Sequence, residues 1–338
     1  MNLPQSSLEP QHFPVMLKEV IRACSPEEGG HFVDCTFGAG GYSAELLKFP
    51  NINITALDRD KETEKKAKNL KKKYFNRFSF FNEKFSNLDK IINTNKKVDA
   101  IIFDLGISSL QLLDMSRGFS FKCKDKIDMN MGLSSISAEE VINELDEDSL
   151  KLIIKMFGDE KEASKIVKNI VIARKTKKIS KVSELVKIIE KSKKRDYSKK
   201  INVCTKTFQA LRIFVNKETT ELIEGIIKAS RLVKSGGKIV IVSFHSIEDK
   251  IVKFFFKNYS KNKSKPSRYL PDDKANSIIL FEEYKNNLIK PSKEEILNNP
   301  PSRSAKLRFI IRSKNNFCEP ANLKIKFKKY LDLERINV

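Results

Sequence analysis

Tryptophan is absent, histidine occurs three times, and the five cysteines (Cys24, Cys35, Cys123, Cys204 and Cys318) include no CxxC pair. That scarcity argues against a disulfide framework and against a Cys/His zinc centre. Long hydrophobic runs are missing too, since no stretch approaches the ~18 consecutive apolar residues that a spanning helix needs. The opening MNLPQSSLEPQH has no basic region followed by an apolar one, so no secretory leader is read there. A cytoplasmic chain without membrane contact is expected, whose chemistry uses no metal or borrows an organic cofactor.

What is present is an ordinary globular composition. The chain has 338 residues, 40% of them hydrophobic, with 23 Phe; at ~150 residues per domain this length predicts about two domains with a substantial core. Lys and Arg number 65 against 43 Asp and Glu, a net charge of +22. Residues 161–200 hold 15 Lys/Arg and 4 Asp/Glu, half of the excess. With no amphipathic anchor beside it, this charge favours a polyanionic partner over a membrane. A lysine-rich composition with solvated helix faces would give the same numbers, and composition does not separate the two.

From His31 onward, apolar β-branched runs alternate with helical patterns. HFVDCTF (31–37) reads as a strand, Gly38 to Gly41 punctuate it, and Ala44, Leu46 and Leu47 begin a helix. NITALD (53–58), FSFFNEKF (78–85) and VDAIIFDL (98–105) supply three further strands, separated by a Lys/Glu-rich helix to Lys73 and a short helix near Leu88 to Asn93. Such alternation predicts right-handed crossovers and a parallel, doubly wound α/β sheet with helices on both faces. After Gly106 the strand pattern stops and apolar residues recur at helical spacing: Val141, Ile142, Leu145; Leu150, Ile153, Ile154, Phe157; Ile166, Val167, Ile170; Val182, Leu185, Ile189. One long helix is expected from Thr207 to Val233, with Ser235-Gly236-Gly237 as its C-cap, leading into the strand KIVIVSFH (238–245). KLRFIIRS (306–313) reads as an edge strand, and the polar, Lys- and Asn-rich segment from Lys257 to about Pro301 as loop or partly ordered chain. The expected organisation is a sheet domain in two parts, residues 1–108 and 207–338, around an inserted helical domain, 109–206.

Ligands in open α/β sheets bind beyond the carboxyl ends of the strands, at the point where strand order reverses. There the first strand presents Asp34 and the turn Gly38-Ala39-Gly40-Gly41, which lets backbone N–H groups approach a ligand closely. A dinucleotide fingerprint would need GxGxxG, and Ser43 stands where its last glycine belongs. An S-adenosylmethionine loop places glycines two, four and six residues after an acid; Thr36, Gly38 and Gly40 satisfy two of the three. A plain strand-to-helix turn explains the glycines alone, but Asp58 at the end of the second strand offers a carboxylate to ribose hydroxyls in either cofactor class.

Asp104 ends the fourth strand. An aromatic exocyclic amine is a poor nucleophile because its lone pair is delocalised into the ring, and an acceptor for its N–H bonds pushes it toward tetrahedral geometry. Asp104 has the atoms for that role, as it has for capping the next turn. In RGFSF (117–121) Arg117, Phe119 and Phe121 could stack and hold an unpaired base, or plug a small core. FQALRIFVNKE (208–218) mixes core positions with Arg212, and SFHSIED (243–249) puts His245 at a strand exit, where a lone His is often structural. Arg174, Lys175, Lys177 and Lys178 form the densest basic cluster and would grip phosphates, unless they are a solvated helix end.

Taken together and in order, HFPVMLKEV (12–20), VDCTFGAGGYS (33–43), LDRD (57–60), FDLGISSLQLLDMSRGFSF (103–121), DMNMG (128–132), TFQALRIFVNKE (207–218), SFHSIEDKIVK (243–253) and RSAKLR (303–308) resemble the blocks of the bacterial 16S ribosomal RNA cytosine N4-methyltransferases, the MraW/RsmH family. The resemblance spans residues 12 to 312. It implies a class I (Rossmann-like) S-adenosylmethionine-dependent methyltransferase with an inserted helical domain, acting on N4 of a decoding-centre cytosine in the 16S rRNA of the assembled small subunit. It carries cofactor contacts onto Gly40, Gly41, Tyr42, Asp58, Phe85, Asp104 and Gln111, with Asp104 also catalytic. Substrate contacts are expected from Arg117, Phe119, Phe121, Arg174, Lys175, Arg212 and His245; no metal is expected, and a homodimer is compatible with the family. Tyr42 stands where the family has His in GGHS, Asn130 where it has Arg in DMRM, and Pro301 in place of an Arg before RSAKLR. The competing readings are an NAD(P)-dependent reductase and a non-catalytic RNA-binding protein of ribosome assembly.

Overall fold

The computed structural model describes residues 14–93, 97–193, 202–261, 278–285 and 288–338. Its centre is a six-stranded sheet: β1 (Gly30–Asp34), β2 (Ile52–Asp58), β3 (Phe78–Asn82), β4 (Val98–Asp104), β5 (Val233–Ser243) and β6 (Lys306–Ile311), in the order β3-β2-β1-β4-β5-β6. All pairs are parallel except β5 with the edge strand β6. Central strands read as near-continuous apolar runs because both faces are covered. Ile101, Phe103, Ile239 and Ile241 face one core; Ile54, Ala56, Ile102 and Val240 face the other. Each such Val or Ile contributes roughly 1.5–3 kcal/mol by leaving water.

Helices Leu17–Cys24, Gly41–Leu46 and Glu64–Lys73 cover the second face, and Glu218–Leu232 and Ser246–Asn258 cover the first. Strand order reverses between β1 and β4, which opens a crevice beyond their carboxyl ends. Among the described residues no named strand lies between β4 and β5. Helices Ala138–Glu144, Glu147–Gly158, Ala163–Thr176, Val182–Ser192 and Thr205–Asn216 fill that interval, and the spaced apolar residues read from the sequence are buried in them. Their core is continuous with the Ile101 and Phe103 face of the sheet. No helix among the described residues is long and apolar enough to cross a membrane.

Three expectations need correcting. The long helix is two, Thr205–Asn216 and Glu218–Leu232, broken at Lys217, whose φ of 50° is left-handed. Ser235-Gly236-Gly237 does not cap a helix; it lies inside β5 at a register shift between Val98 and Ala100. A Cβ on Gly237 would come within 2.7 Å of the Asp99 carbonyl oxygen, so Gly237 serves a close strand approach, while Gly236 takes the left-handed φ of 79°. In the polar segment, residues 262–277 and 286–287 lie outside the described residues, but Leu280, Phe281 and Tyr284 are buried, with Phe281 set edge-on to Phe255 at 5.2 Å. The flanking Lys/Asn-rich sequence hid this apolar insert.

Candidate functional site

The crevice begins where β1 turns into helix Gly41–Leu46. Asp34 is buried beneath that turn: Ser43 Oγ donates to its Oδ2 at 2.7 Å and the Thr36 N–H to Oδ1 at 3.3 Å. Burial nonetheless pushes its carboxyl up to about 6. Gly40 has φ 83°, and a Cβ there would sit 2.6 Å from the Phe37 ring. Gly38, Ala39, Gly41 and Tyr42 line the crevice, while Gly40 shapes the turn behind them.

Asp58, at the end of β2, forms the next part of the wall. The Gly38 N–H donates to its Oδ2 at 2.7 Å and the Asp60 N–H to its Oδ1 at 2.8 Å. Burial pushes this carboxyl up to about 6 against those two bonds. Each oxygen keeps a second lone pair for a ligand hydroxyl. The next two residues of the LDRD run, not singled out in the sequence, hold the surroundings together. Arg59 donates to Gly132 O, Asn216 O and Ser134 Oγ, joining three segments. Asp60 Oδ2 accepts from Gln111 Nε2 at 2.9 Å and from Arg117 Nη1 at 2.5 Å. Gln111 lines the crevice, but its amide is committed to this brace and to the Ser108 N–H.

Asp104 differs from both other acids. Its backbone N–H donates to Thr36 Oγ1, and its Oδ2 lies 3.3 Å from the Tyr42 hydroxyl. Its Oδ1 is buried and has no hydrogen-bond partner among the described residues. Burial, reinforced by the charges of Asp34 and Glu248, pushes this carboxyl up to about 8. Tyr42 itself donates its proton to the Val15 carbonyl at 2.5 Å, fastening the segment before helix Leu17–Cys24 over the crevice.

Phe85 faces the crevice from beyond β3, edge-on to Phe103 at 5.4 Å. Room for its ring comes from Gly225, where a Cβ would sit 2.5 Å from the ring. Glu218, Glu221 and Leu222, from the first turns of helix Glu218–Leu232, close that side. Glu218 is paired with Arg212 through Nε at 2.8 Å and Nη2 at 2.9 Å.

Glu218, His245 and Glu248 bring potential ligand atoms within 4.8 Å of one another. His245 Nδ1 accepts the Glu248 N–H, which leaves the ring proton on Nε2, 3.0 Å from Glu248 Oε1. With Arg212 holding both oxygens of Glu218, the trio is an ion network. Burial pushes the Glu248 carboxyl up, but His245 and Arg212 outweigh it and hold that carboxyl below its usual range. Glu218 and Glu248 were passed over beside Arg212 and His245, although both stand in the quoted motifs.

Several expected substrate residues point elsewhere. Phe119 is buried, with the Arg117 guanidinium over its ring, and Phe121 packs edge-on against Phe208. These aromatics complete a core beside the crevice because the loop carrying them must bury its own apolar residues. Arg117 also donates to the Asn130 carbonyl, and Asn130 uses its amide to fold the same loop. Arg174 donates to the Ile142 carbonyl, whereas Lys175 is exposed, and neither lines the crevice. Lys177 and Lys178 are paired with Glu184 and Glu139. Pro301 lies exposed on the crevice rim.

A sequence model of the MraW methylase family matches residues 9–313. A protein from Ehrlichia canis called ribosomal RNA small subunit methyltransferase H is 42% identical over 307 residues, covering 89% of this chain and 99% of that one. One of the same name from Bartonella bacilliformis is 40% identical over 315 residues, covering 93% of each chain. A solved rRNA methylase from Streptococcus thermophilus is 11% identical, covering 88% of this chain and 94% of that one with a TM-score of 0.38, a likeness too distant to bear on function.

Proposed function

The chain belongs to the MraW methylase family, and on that premise we propose that it methylates the RNA of the small ribosomal subunit, moving a methyl group from S-adenosylmethionine to N4 of a decoding-centre cytosine. The small-subunit substrate rests on the names of the relatives. The choice of an exocyclic amine rests on one observation: Asp104 Oδ1, buried at the crevice floor with no hydrogen-bond partner among the described residues. A buried acceptor without a donor costs roughly 1–3 kcal/mol, a cost that an incoming N–H bond would remove. Such a bond also draws the amine's lone pair out of conjugation.

The residues fit the cofactor. Bound S-adenosylmethionine supplies an electrophilic methyl on a positively charged sulfur. Asp58, already oriented by two backbone N–H bonds, offers its remaining lone pairs to ribose hydroxyls. Phe85 offers an apolar face to adenine, and the turn at Gly38 and Ala39 lets main chain approach the ligand. Gln111 acts through Asp60 by holding the loop after β4.

A cytosine must leave its stack to reach Asp104. The side chains placed to receive it are Val15, Phe244 and Pro301, in the roles first given to Phe119 and Phe121. Arg212 and His245 serve by orienting Glu218 and Glu248. Lys175 and its exposed basic neighbours would meet phosphates. Most of the catalysis is then positioning of amine against methyl.

The test is incubation with methyl-labelled S-adenosylmethionine and under-methylated small subunits, followed by nucleoside mass analysis. N4-methylcytidine is the expected product; label on a ring carbon, on another base, or on none would overturn the reading.

A further inference from the structure

The Tyr42 hydroxyl has one proton and two oxygen neighbours. The nearer, the Val15 carbonyl at 2.5 Å, can only accept, so the proton goes there. The phenol oxygen therefore turns a lone pair toward Asp104 Oδ2 at 3.3 Å. A carboxylate oxygen in that place would set lone pair against lone pair, whereas a carboxylic O–H makes a hydrogen bond.

Building on the cofactor reading above, we propose that Tyr42 is a positioning residue that keeps Asp104 a neutral acid while the crevice is free of cofactor, and that entry of the sulfonium drives this proton from Oδ2 into solvent. The surroundings agree. The charged groups facing Asp104 are Asp34 from β1 and Glu248 from helix Ser246–Asn258, both acidic. The nearby nitrogen donors look away from it: His245 and Arg212 are turned to Glu248 and Glu218. Glu295 faces Tyr42 and accepts the Met16 N–H. Burial holds the acid up to about 8. A fixed positive charge entering this pocket replaces the proton as the balancing charge. The neutral thioether product lacks that charge, so the same residues distinguish donor from spent cofactor by charge.

Proton linkage tests this without measuring turnover. Calorimetric binding at pH 7 in buffers of different ionisation enthalpy should find most of one proton released with S-adenosylmethionine and none with S-adenosylhomocysteine. Between pH 7 and 8, where Asp58 is already ionised, the donor's Kd should tighten about fivefold, with the product's Kd nearly flat. Asp104→Asn keeps the Oδ1 acceptor and a donor toward Tyr42, so it should bind both ligands without proton release. Tyr42→Phe removes the acceptor for the Oδ2 proton and should move the midpoint of release to lower pH. In the cofactor-free protein, the Asp104 carboxyl carbon, assigned by its loss in Asp104→Asn, should titrate well above the usual carboxylate range. Donor and product binding with the same pH dependence, a carboxyl titrating near 4, or an unchanged Tyr42→Phe midpoint would each overturn the proposal while leaving the cofactor assignment standing. Failure of the folded protein to bind either ligand would overturn both.

Discussion

Asp58 and Asp104 close two strands that flank β1, both are buried, and their surroundings are opposite. Asp58 receives a backbone N–H on each oxygen; Asp104 has one oxygen facing a phenol lone pair and the other without a hydrogen-bond partner among the described residues. The first is preorganised as an anion and has spare lone pairs for a ligand. The second is raised further, to about 8 against about 6, because no backbone donor offsets its burial. One end of the crevice is finished by the fold, and the other is left to be completed by what binds. A site that must hold a cofactor and then act on a transient base needs both kinds of end.

The comparison breaks first at the unfinished end. Asp104→Ala should lower kcat by about 100- to 1000-fold, the scale of losing a preorganised transition-state contact, with a smaller change in cofactor Kd. Single-turnover methylation beside calorimetry separates the two. Asp58→Ala should do the reverse, weakening S-adenosylmethionine binding by about 100-fold, because two charge-assisted bonds of ~1.5 kcal/mol each disappear.

Stability sharpens the contrast. The folded-state value for Asp104 is raised, so its contribution is fully present below about pH 4 and is lost as pH climbs through about 8. Asp104→Asn has no such loss, and urea unfolding should show its advantage over the parent growing by about 4 kcal/mol from pH 5 to pH 9. An advantage independent of pH would mean that this acid titrates normally. The smallest effect is expected from Phe85→Ala, about tenfold weaker cofactor binding from lost ring contact, with kcat little changed.

The parallel sheet was legible because its strands are apolar runs ended by glycine or acid, a pattern fixed by local chemistry. The glycine turn, Asp58 and Asp104 were legible for the same reason: each sits at a strand end, and strand ends converge. What escaped notice depends on partners distant in sequence. Phe119 and Phe121 looked like stacking residues beside an arginine, but nothing local reveals that Phe208 and the Arg117–Asp60 pair draw that loop inward. Glu248 reads as a surface acid until His245 and Arg212 are seen to surround it. The break at Lys217 was hidden because apolar spacing continues across it; only the backbone conformation, φ 50°, reveals the turn.

Glu334 closes the account of the crevice from a long way off. Its carboxylate, pushed up to about 7 by burial, accepts the N–H groups of Thr219 and Thr220 and the Thr220 hydroxyl, at the start of the helix that carries Glu218, Glu221 and Gly225. Without Glu334 that helix end loses its acceptor, and the wall behind Phe85 loses its anchor. A residue 115 positions along the chain from Thr219 thus governs the shape of the crevice without touching it.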